Sequence, residues 1–578
     1  MEERPVGRSS ALVWRAIGKR KVVFVEALVA TFIINTIALA TSLFSLQVYD
    51  RVIPQNGFQT LYVLGAGVLV AILLEYLLKN VRNSVMDRTS SQIDIDLSEW
   101  FFRRALGIRM ESRPPSLGTF ASQIKGLEFV QGVMSSASLF LMAEVPFALF
   151  FIFVILLIGG WVAAVPLLFL PVALAAGLMF QRQLRRAAME GQDFGNRKTG
   201  LLVEAIDGIE SVKANGSEWS LYARWRELSL KRSLADYQAK HYSAFSNHTT
   251  VTLQQIAYVA LVSFGAYLVT NGSMTMGGLI ACTIISSRAL SPIGRLPGLM
   301  VSWAQAKAAI RDLDKLIAQP NELDEHAYAL NTGKLEPSIR MERVKFSYNV
   351  EDRPALEIAR LDIRQGERVG VIGAIGSGKS TLLKLASGLY RPREGRVFMG
   401  GIDMALVSPN RLRELITYVP QEIRLISGTL RENLLQGLPD PGDEVLIEAA
   451  RETGLLNLIT QHPKGLALPI TEGGRGISGG QKQLIGLTRM VLTKPSLLLL
   501  DEPTASMDSA AEAGVVALLD RMCAKGATLI VATHKTAVLP IVNRLLVFSN
   551  GMLAMEGPRD LVLANLSKRA LSLNKEAA

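Results

Sequence analysis

Four stretches of uncharged, apolar sequence govern what this chain can fold into. Ala27–Leu46 and Phe58–Leu74 contain no charged residue, Gln131–Gln181 contains only Glu144, and His248–Ser287 contains none. A helix needs roughly 20 mostly apolar residues to cross a bilayer, and uncharged runs this long are rare in soluble cores. Gly159-Gly160 divides the third stretch and Asn271-Gly272-Ser273 the fourth. The sequence therefore predicts six spans in a lipid bilayer, near 22–46, 58–78, 137–158, 161–180, 250–270 and 274–294.

Charge placement orients these spans. Lys+Arg total 62 against 51 Asp+Glu, a net +11, an excess that fits nucleic acid or Lys/Arg-rich cytoplasmic loops equally well. Arg4, Arg8, Arg15, Lys19, Arg20 and Lys21 precede the first span. Lys79, Arg82, Arg103, Arg104, Arg182, Arg185 and Arg186 follow the second and fourth, and the opposite loops hold only Arg51. This asymmetry puts the N-terminus, both long polar segments and everything after the sixth span in the cytoplasm. Much of the excess is thus topological, and no nucleic-acid partner is expected. Two cysteines, Cys282 and Cys523, and five scattered histidines exclude a disulfide framework and a Cys- or His-only metal site.

The segments 79–136 and 181–248 are too long for structureless loops. Their helical spacing, as in Leu97, Trp100, Phe101, Ala105 and Leu106, predicts spans extended into the cytosol, with reversals near Pro114-Pro115 and Asp207-Gly208. A polar linker follows from Gln319 to Pro337, and then a pattern of short strands and helices. The expected divisions are a basic tail over 1–21, a membrane domain over 22–316, a linker over 317–337 and an α/β domain over 338–570.

The chemistry lies in the last of these. The apolar run Val369–Ile372 leads into Gly373-Ala374-Ile375-Gly376-Ser377-Gly378-Lys379-Ser380-Thr381 and then a helical stretch. This is G-x-x-x-x-G-K-S between strand and helix, a P-loop. Its glycines let backbone N–H groups face phosphate oxygens, and the helix N-terminus adds its dipole. Lys379 can reach the β- and γ-phosphates, and Ser380 can ligate Mg²⁺. Leu497–Leu500 reads as a buried strand that ends in Asp501 and Glu502. There Asp501 can hold Mg²⁺ and Glu502 can activate the attacking water.

Between these motifs stands Ile477-Ser478-Gly479-Gly480-Gln481, which resembles the L-S-G-G-Q signature of the ATP-binding cassette (ABC) transporters. The resemblance implies roles for further residues. Tyr348 in VKFSY matches the aromatic that stacks on adenine. Gln421 in YVPQ matches the loop glutamine that touches Mg²⁺ and the membrane domain. Glu472-Gly473-Gly474-Arg475-Gly476 resembles the exporter loop before the signature. Asp508 sits in the D-loop, and His534 in LIVATHK matches the switch histidine at the γ-phosphate. Ser478, Gly479, Gly480 and Gln481 would meet ATP bound at the P-loop of a second copy of the chain. Ile477 and Met507 stand where leucine is usual; neither change removes a polar catalytic group.

The fold implied is an α-helical membrane domain of six transmembrane helices with long cytoplasmic extensions, fused to an α/β P-loop nucleotide-binding domain. Val48–Pro54 (VYDRVIP), Gly208–Ala214 and Ser287–Pro292 are similar to elements of type I secretion transporters. That family implies a bacterial inner-membrane homodimer that uses ATP and Mg²⁺. Its partners would be a periplasmic membrane-fusion adaptor, an outer-membrane channel and an unfolded secreted polypeptide, such as a calcium-binding repeat protein or adhesin. About 21 residues precede the first span, too few for the N-terminal peptidase of some relatives, so leader cleavage is not expected. A lipid or small-amphiphile exporter is the alternative within the class, and an ATP-gated channel or regulator the alternative outside it. The intact Glu502 and His534 argue against the latter. Arg288 and Arg295 close the sixth span at an expected cytoplasmic entrance. There they either anchor the helix by snorkelling or steer an acidic chain.

Overall fold

The computed structural model describes residues 9–114, 116–134, 136–322, 333, 335–349 and 353–576. Pro115 of the expected first reversal, most of the expected linker, and Arg4 and Arg8 of the tail lie outside them, as do the side chains of Glu144 and Arg295. The chain divides into two compact units, Met1–Gly107 with Pro114–Gln319, and Ile108–Arg113 with Pro320–Ala578.

The described residues of the first unit form helices and the turns between them. Among the described residues, five helical runs are long and apolar enough to cross a membrane: Lys21–Gln55, Phe58–Leu106, Phe147–Asp207, Glu218–Thr270 and Met276–Ile317. The third contains two expected spans, because Ser136–Gly159 and Ala164–Leu178 are joined by a 3₁₀ turn in which Gly160 takes φ +56°. The polar segments continue the spans as helix, as expected. Phe58–Leu106 runs 49 residues without a break, and Glu218–Thr270 runs 53. The chain turns after Leu106 and again through Gly208–Ser217, the second turn holding the short helix Ile209–Ala214.

Apolar burial does little to choose helix partners in lipid, because the tails are as apolar as leucine; packing and polar bonds must do it. Arg82 donates to Thr31 Oγ1 at 3.0 Å and ties Phe58–Leu106 to the first run. Ser246 donates to the Gly177 carbonyl at 3.0 Å, and Gln254 to the Leu290 carbonyl at 2.7 Å. Val48–Val52 is a π turn, whose wider winding re-aims a side chain. It brings Asp50 over the N-terminus of Met276–Leu290, where Asp50 accepts from Thr275 Oγ1 at 2.6 Å and from the Gly277 N–H at 2.8 Å. A Cβ on Gly277 would lie 2.4 Å from the Leu46 carbonyl oxygen, so only glycine permits this approach.

Among the described residues, the second unit is built on a ten-stranded sheet whose strands lie in the order Ile402–Asp403, Glu394–Met399, Ile339–Phe346, Leu356–Ile363, Met552–Pro558, Arg544–Ser549, Arg368–Gly373, Thr528–Ala532, Leu497–Asp501 and Ile416–Val419. Four parallel strands position the site: β3 (Arg368–Gly373), β10 (Thr528–Ala532), β9 (Leu497–Asp501) and β6 (Ile416–Val419). Leu497–Leu500 are fully buried, and they alternate between two cores, Leu497 and Leu499 on one face, Leu498 and Leu500 on the other. That double covering is why the strand reads as an unbroken apolar run. Ile108–Arg113, from the turn after the 49-residue helix, also belongs to this unit. Ile108 bridges Asn321, and the Arg109 N–H donates to the Pro320 carbonyl at 3.1 Å.

Candidate active site

Strand register assembles the site. Asp501 pairs with Ala532, and Ala532 with Val371, so the ends of β3, β9 and β10 lie side by side. Residues about 130 positions apart thereby meet at one sheet edge, where open α/β sheets bind ligands.

The P-loop leaves β3 through Gly373, whose Cβ would stand 2.3 Å from the Phe548 carbonyl oxygen. At Gly378 the φ is +100°, and a Cβ would meet the Ala355 oxygen at 2.8 Å. The loop therefore has the tight, N–H-exposing path a phosphate needs. The helix Lys379–Ala386 starts at its end. The Lys379 ammonium donates to the Gly373 and Ala374 carbonyls, both at 2.9 Å. Buried Ser377 Oγ has no hydrogen-bond partner among the described residues, and Ile375 projects into solvent. Buried Thr381 shares a 3.2 Å hydrogen bond with Tyr348 Oη. The Tyr348 ring packs edge-on against Phe346 and Tyr390, with Lys384 over its face.

Asp501 is 3% exposed, and burial pushes its carboxyl above the usual range. The Ser380 hydroxyl, donating to it, and Lys384 and Lys379 pull the other way, while Glu502 adds to the rise. A buried carboxylate that is costly to ionise, beside a serine hydroxyl, is an oxygen set that suits Mg²⁺; water and phosphate would complete the shell. Glu502 takes a left-handed φ of +49°, and its N–H donates to the Ala532 carbonyl at 2.9 Å. Such a backbone costs about 1–2 kcal/mol outside glycine. It aims the carboxylate at His534, with Oε1 2.7 Å from Nδ1. Lys535 donates to the Thr504 carbonyl at 2.7 Å, and Thr504 to Glu512 at 2.8 Å, which ties the loop after β10 to the loop after β9.

Ser478 and Gln481 cap the helix Gly479–Thr493 reciprocally. Ser478 Oγ accepts from the Gln481 N–H at 3.2 Å, and Gln481 Oε1 from the Ser478 N–H at 3.0 Å. The Ser478 hydroxyl hydrogen stays free to donate outward. Gly480 packs on Ser506, whose oxygen would lie 2.8 Å from a Cβ there. Asp508 caps Ser509–Ala524 through the Ala511 N–H at 2.8 Å. Gln421 is exposed, with its carbonyl held at 2.6 Å by Gln483 Nε2. The residues named from sequence thus fall into two groups. Tyr348, the P-loop, Asp501, Glu502 and His534 share the sheet edge, while Ser478–Gln481 pack on the segment before Asp508.

Two residues escaped sequence reading. Buried Gln483 links the helix after the signature to the Gln421 loop; it stands two residues beyond Gln481, a position with no motif of its own. Tyr418 donates a hydrogen bond to Asp501. Burial, and then Asp501, push its phenol above its ordinary range. Its place in YVPQ was visible, but its partner was not.

Comparison with known proteins agrees with this geometry. The model for the ABC transporter transmembrane region matches residues 24–292, and the ABC transporter model matches residues 356–505. The RTX-I toxin translocation ATP-binding protein of Actinobacillus pleuropneumoniae is 27% identical over 555 residues, covering 95% of this chain and 78% of the relative. A leukotoxin translocation ATP-binding protein of Mannheimia haemolytica is 27% identical over 95% of this chain and 77% of its own length. In fold, the chain is similar to a bacterial Atm1-family ABC exporter with ATP bound. The TM-score is 0.84 at 21% identity, over 96% of this chain and 98% of the other.

Proposed function

We propose that this chain, an ABC transporter by its membrane region and its ATP-binding domain, is one half of a homodimeric type I secretion exporter that moves an unfolded polypeptide across the bacterial inner membrane. ATP hydrolysis coupled to export is the activity of the class to which it belongs. The likeness to two toxin translocation proteins along 95% of the chain supports the polypeptide reading. In this reading 22–316 is the membrane domain, 317–337 the linker and 338–570 the cytoplasmic nucleotide-binding domain. A periplasmic adaptor and an outer-membrane channel complete the path.

The residues take these parts. Tyr348 stacks on adenine, and the loop Gly373–Thr381 wraps the phosphates. Lys379 leaves its loop carbonyls for phosphate oxygens. Ser380, Asp501 and Gln421 would hold Mg²⁺, which when bound would neutralise phosphate charge. Glu502 accepts a proton from the attacking water, and His534 holds the γ-phosphate. Ser478, Gly479, Gly480 and Gln481 close over ATP bound to the partner copy, with Asp508 beside that junction. Higher ATP affinity in the closed dimer than in the open one drives the membrane helices between inward- and outward-facing states.

The test is export in cells supplied with adaptor and channel. A polypeptide bearing an RTX-type C-terminal signal should reach the medium with this chain and not with its Glu502→Gln variant. Transport of lipid or small amphiphiles by reconstituted protein, with no polypeptide exported, would overturn the polypeptide reading. Shared sites are tested by mixing Lys379→Ala with Ser478→Arg. Verified heterodimers should regain ATPase, because one of their two sites carries neither lesion.

A further inference from the structure

Arg288 does not sit where its place near the end of a span led one to expect. Asp50 pins the first membrane run to the start of the helix Met276–Leu290, and this common point allows depth to be measured along both helices. At 1.5 Å per residue, Arg288 lies about 20 Å from Thr275, and Thr41 about 13 Å from Asp50. Arg288 Nη2 donates to Thr41 Oγ1 at 3.2 Å. With the Asp50 contact at the outer boundary, where the end of the expected span 22–46 and the start of 274–294 put it, the guanidinium stands well inside a hydrocarbon layer about 30 Å thick. Helical side chains lean toward their own N-terminus, here the Asp50 end, so Arg288 reaches inward, away from the cytoplasmic boundary. Snorkelling would require the opposite direction.

An ionisable residue at such depth faces a bundle interior or a water-filled path. Two observations favour a path. Among the described residues, the hydrogen-bond partner of Arg288 is a neutral hydroxyl and not a carboxylate. The accessible face of its helix also carries a polar line, Thr283, Ser287 and Arg288, continued by Ser291 just beyond the helix and flanked by Ile280 and Ile284, while Leu279, Cys282, Ile285 and Ala289 are buried on the other side. Thr41 donates to the Ala38 carbonyl at 3.0 Å and so presents its oxygen lone pairs to the guanidinium. Among the described residues the other guanidinium donors of Arg288 have no partner, which leaves them for an anion.

We propose that Arg288, oriented by Thr41, is an anion-binding station inside the membrane that takes the carboxylate side chains of a polypeptide in transit. This rests on the polypeptide-export reading and adds to it a charge preference and a residue.

The experiment uses the full-length transporter in lipid nanodiscs. ATPase stimulation is measured with an unfolded 20-residue peptide rich in Asp and Glu, and with its Asn/Gln counterpart. The readout is the ratio of the two half-stimulating concentrations. Wild type should favour the acidic peptide at least tenfold, Arg288→Lys should keep most of that preference, and Arg288→Gln should bring the ratio to about one. An unchanged ratio in Arg288→Gln would overturn the station. Failure of every peptide to stimulate wild type would overturn the polypeptide reading, and the station with it. Glu144 stands on Ser136–Gly159, which packs against Met276–Leu290. If Arg288→Gln fails to assemble and adding Glu144→Gln restores it, the arginine is half of a structural ion pair and the proposal fails. Independently, Ser287→Cys with Cys282→Ala and Cys523→Ala should react with a small anionic, water-soluble thiosulfonate. No labelling under conditions that label an exposed site would place the stripe against lipid or protein and reject the path.

Discussion

In the C-terminal unit, Ser380, Asp501, Glu502 and His534 stand at or just beyond the ends of three strands and meet at one edge, because buried apolar residues fix the register of those strands. In the N-terminal unit no such register exists. Helices are matched by isolated polar bonds: Asp50 to Thr275 and Gly277, Arg82 to Thr31, Gln254 to the Leu290 carbonyl, Arg288 to Thr41. The physical reason is the solvent. Water drives apolar faces together and so sorts strands and helices by pattern, whereas lipid leaves an apolar helix indifferent to its neighbour. Damage to the C-terminal unit's polar groups should therefore cost chemistry with little loss of fold, and damage to the N-terminal unit's should cost assembly.

The sharpest test of that contrast is Glu502→Gln. ATP turnover should fall about 10²–10⁴-fold, because an amide cannot take the proton from water, while nucleotide binding and thermal stability stay near wild type. Loss of folding instead would show that the 2.7 Å contact with His534 is structural. Next is Gly277→Val. Its Cβ would fall 2.4 Å from the Leu46 oxygen and 2.7 Å from the Asp50 carboxyl, forcing the two runs apart at a cost of about 2–3 kcal/mol. A detergent melt should drop by several degrees with ATP affinity retained; an unchanged melt would deny that this approach matters.

Asp50→Ala removes the two bonds and no volume conflict, so about 1 kcal/mol is expected. Asp50→Asn should recover part of it, since an amide oxygen can still accept from Gly277. The smallest effect concerns Asp501. Burial raises its folded carboxyl above the unfolded value. The folded form then holds the extra proton between those two values, and stability is lost as pH rises through that window. At neutral pH the ionised group destabilises the nucleotide-free unit, so Asp501→Asn should raise its melting temperature by about 1–3 °C while ATP turnover falls. A lower melting temperature would mean that the Ser380 and Tyr418 bonds outweigh burial.

The span pattern and the P-loop were legible because each is local. An uncharged run spans wherever it stands, and Gly376 and Gly378 announce left-handed backbone by being glycine. Glu502 is different. Its left-handed conformation is imposed on a residue that does not favour it, and no local pattern predicts that. VYDRV was readable as a motif, but its π turn and the reach of Asp50 to Thr275 span 225 positions. The turn Ile108–Arg113 lies among membrane-domain sequence and yet packs with the C-terminal unit through Asn321 and Pro320.

By itself the sequence determined which segments are long and apolar enough to cross lipid, which loop has the glycine spacing of a P-loop and which carboxylates end a buried strand, since periodicity, charge and glycine act within a few residues. Tertiary structure alone decided that Glu502 faces His534, that Gln483 holds the Gln421 loop, and that Arg288 reaches Thr41 across 247 positions. Each of those depends on which distant backbone comes alongside, and that is set by the packing of whole elements.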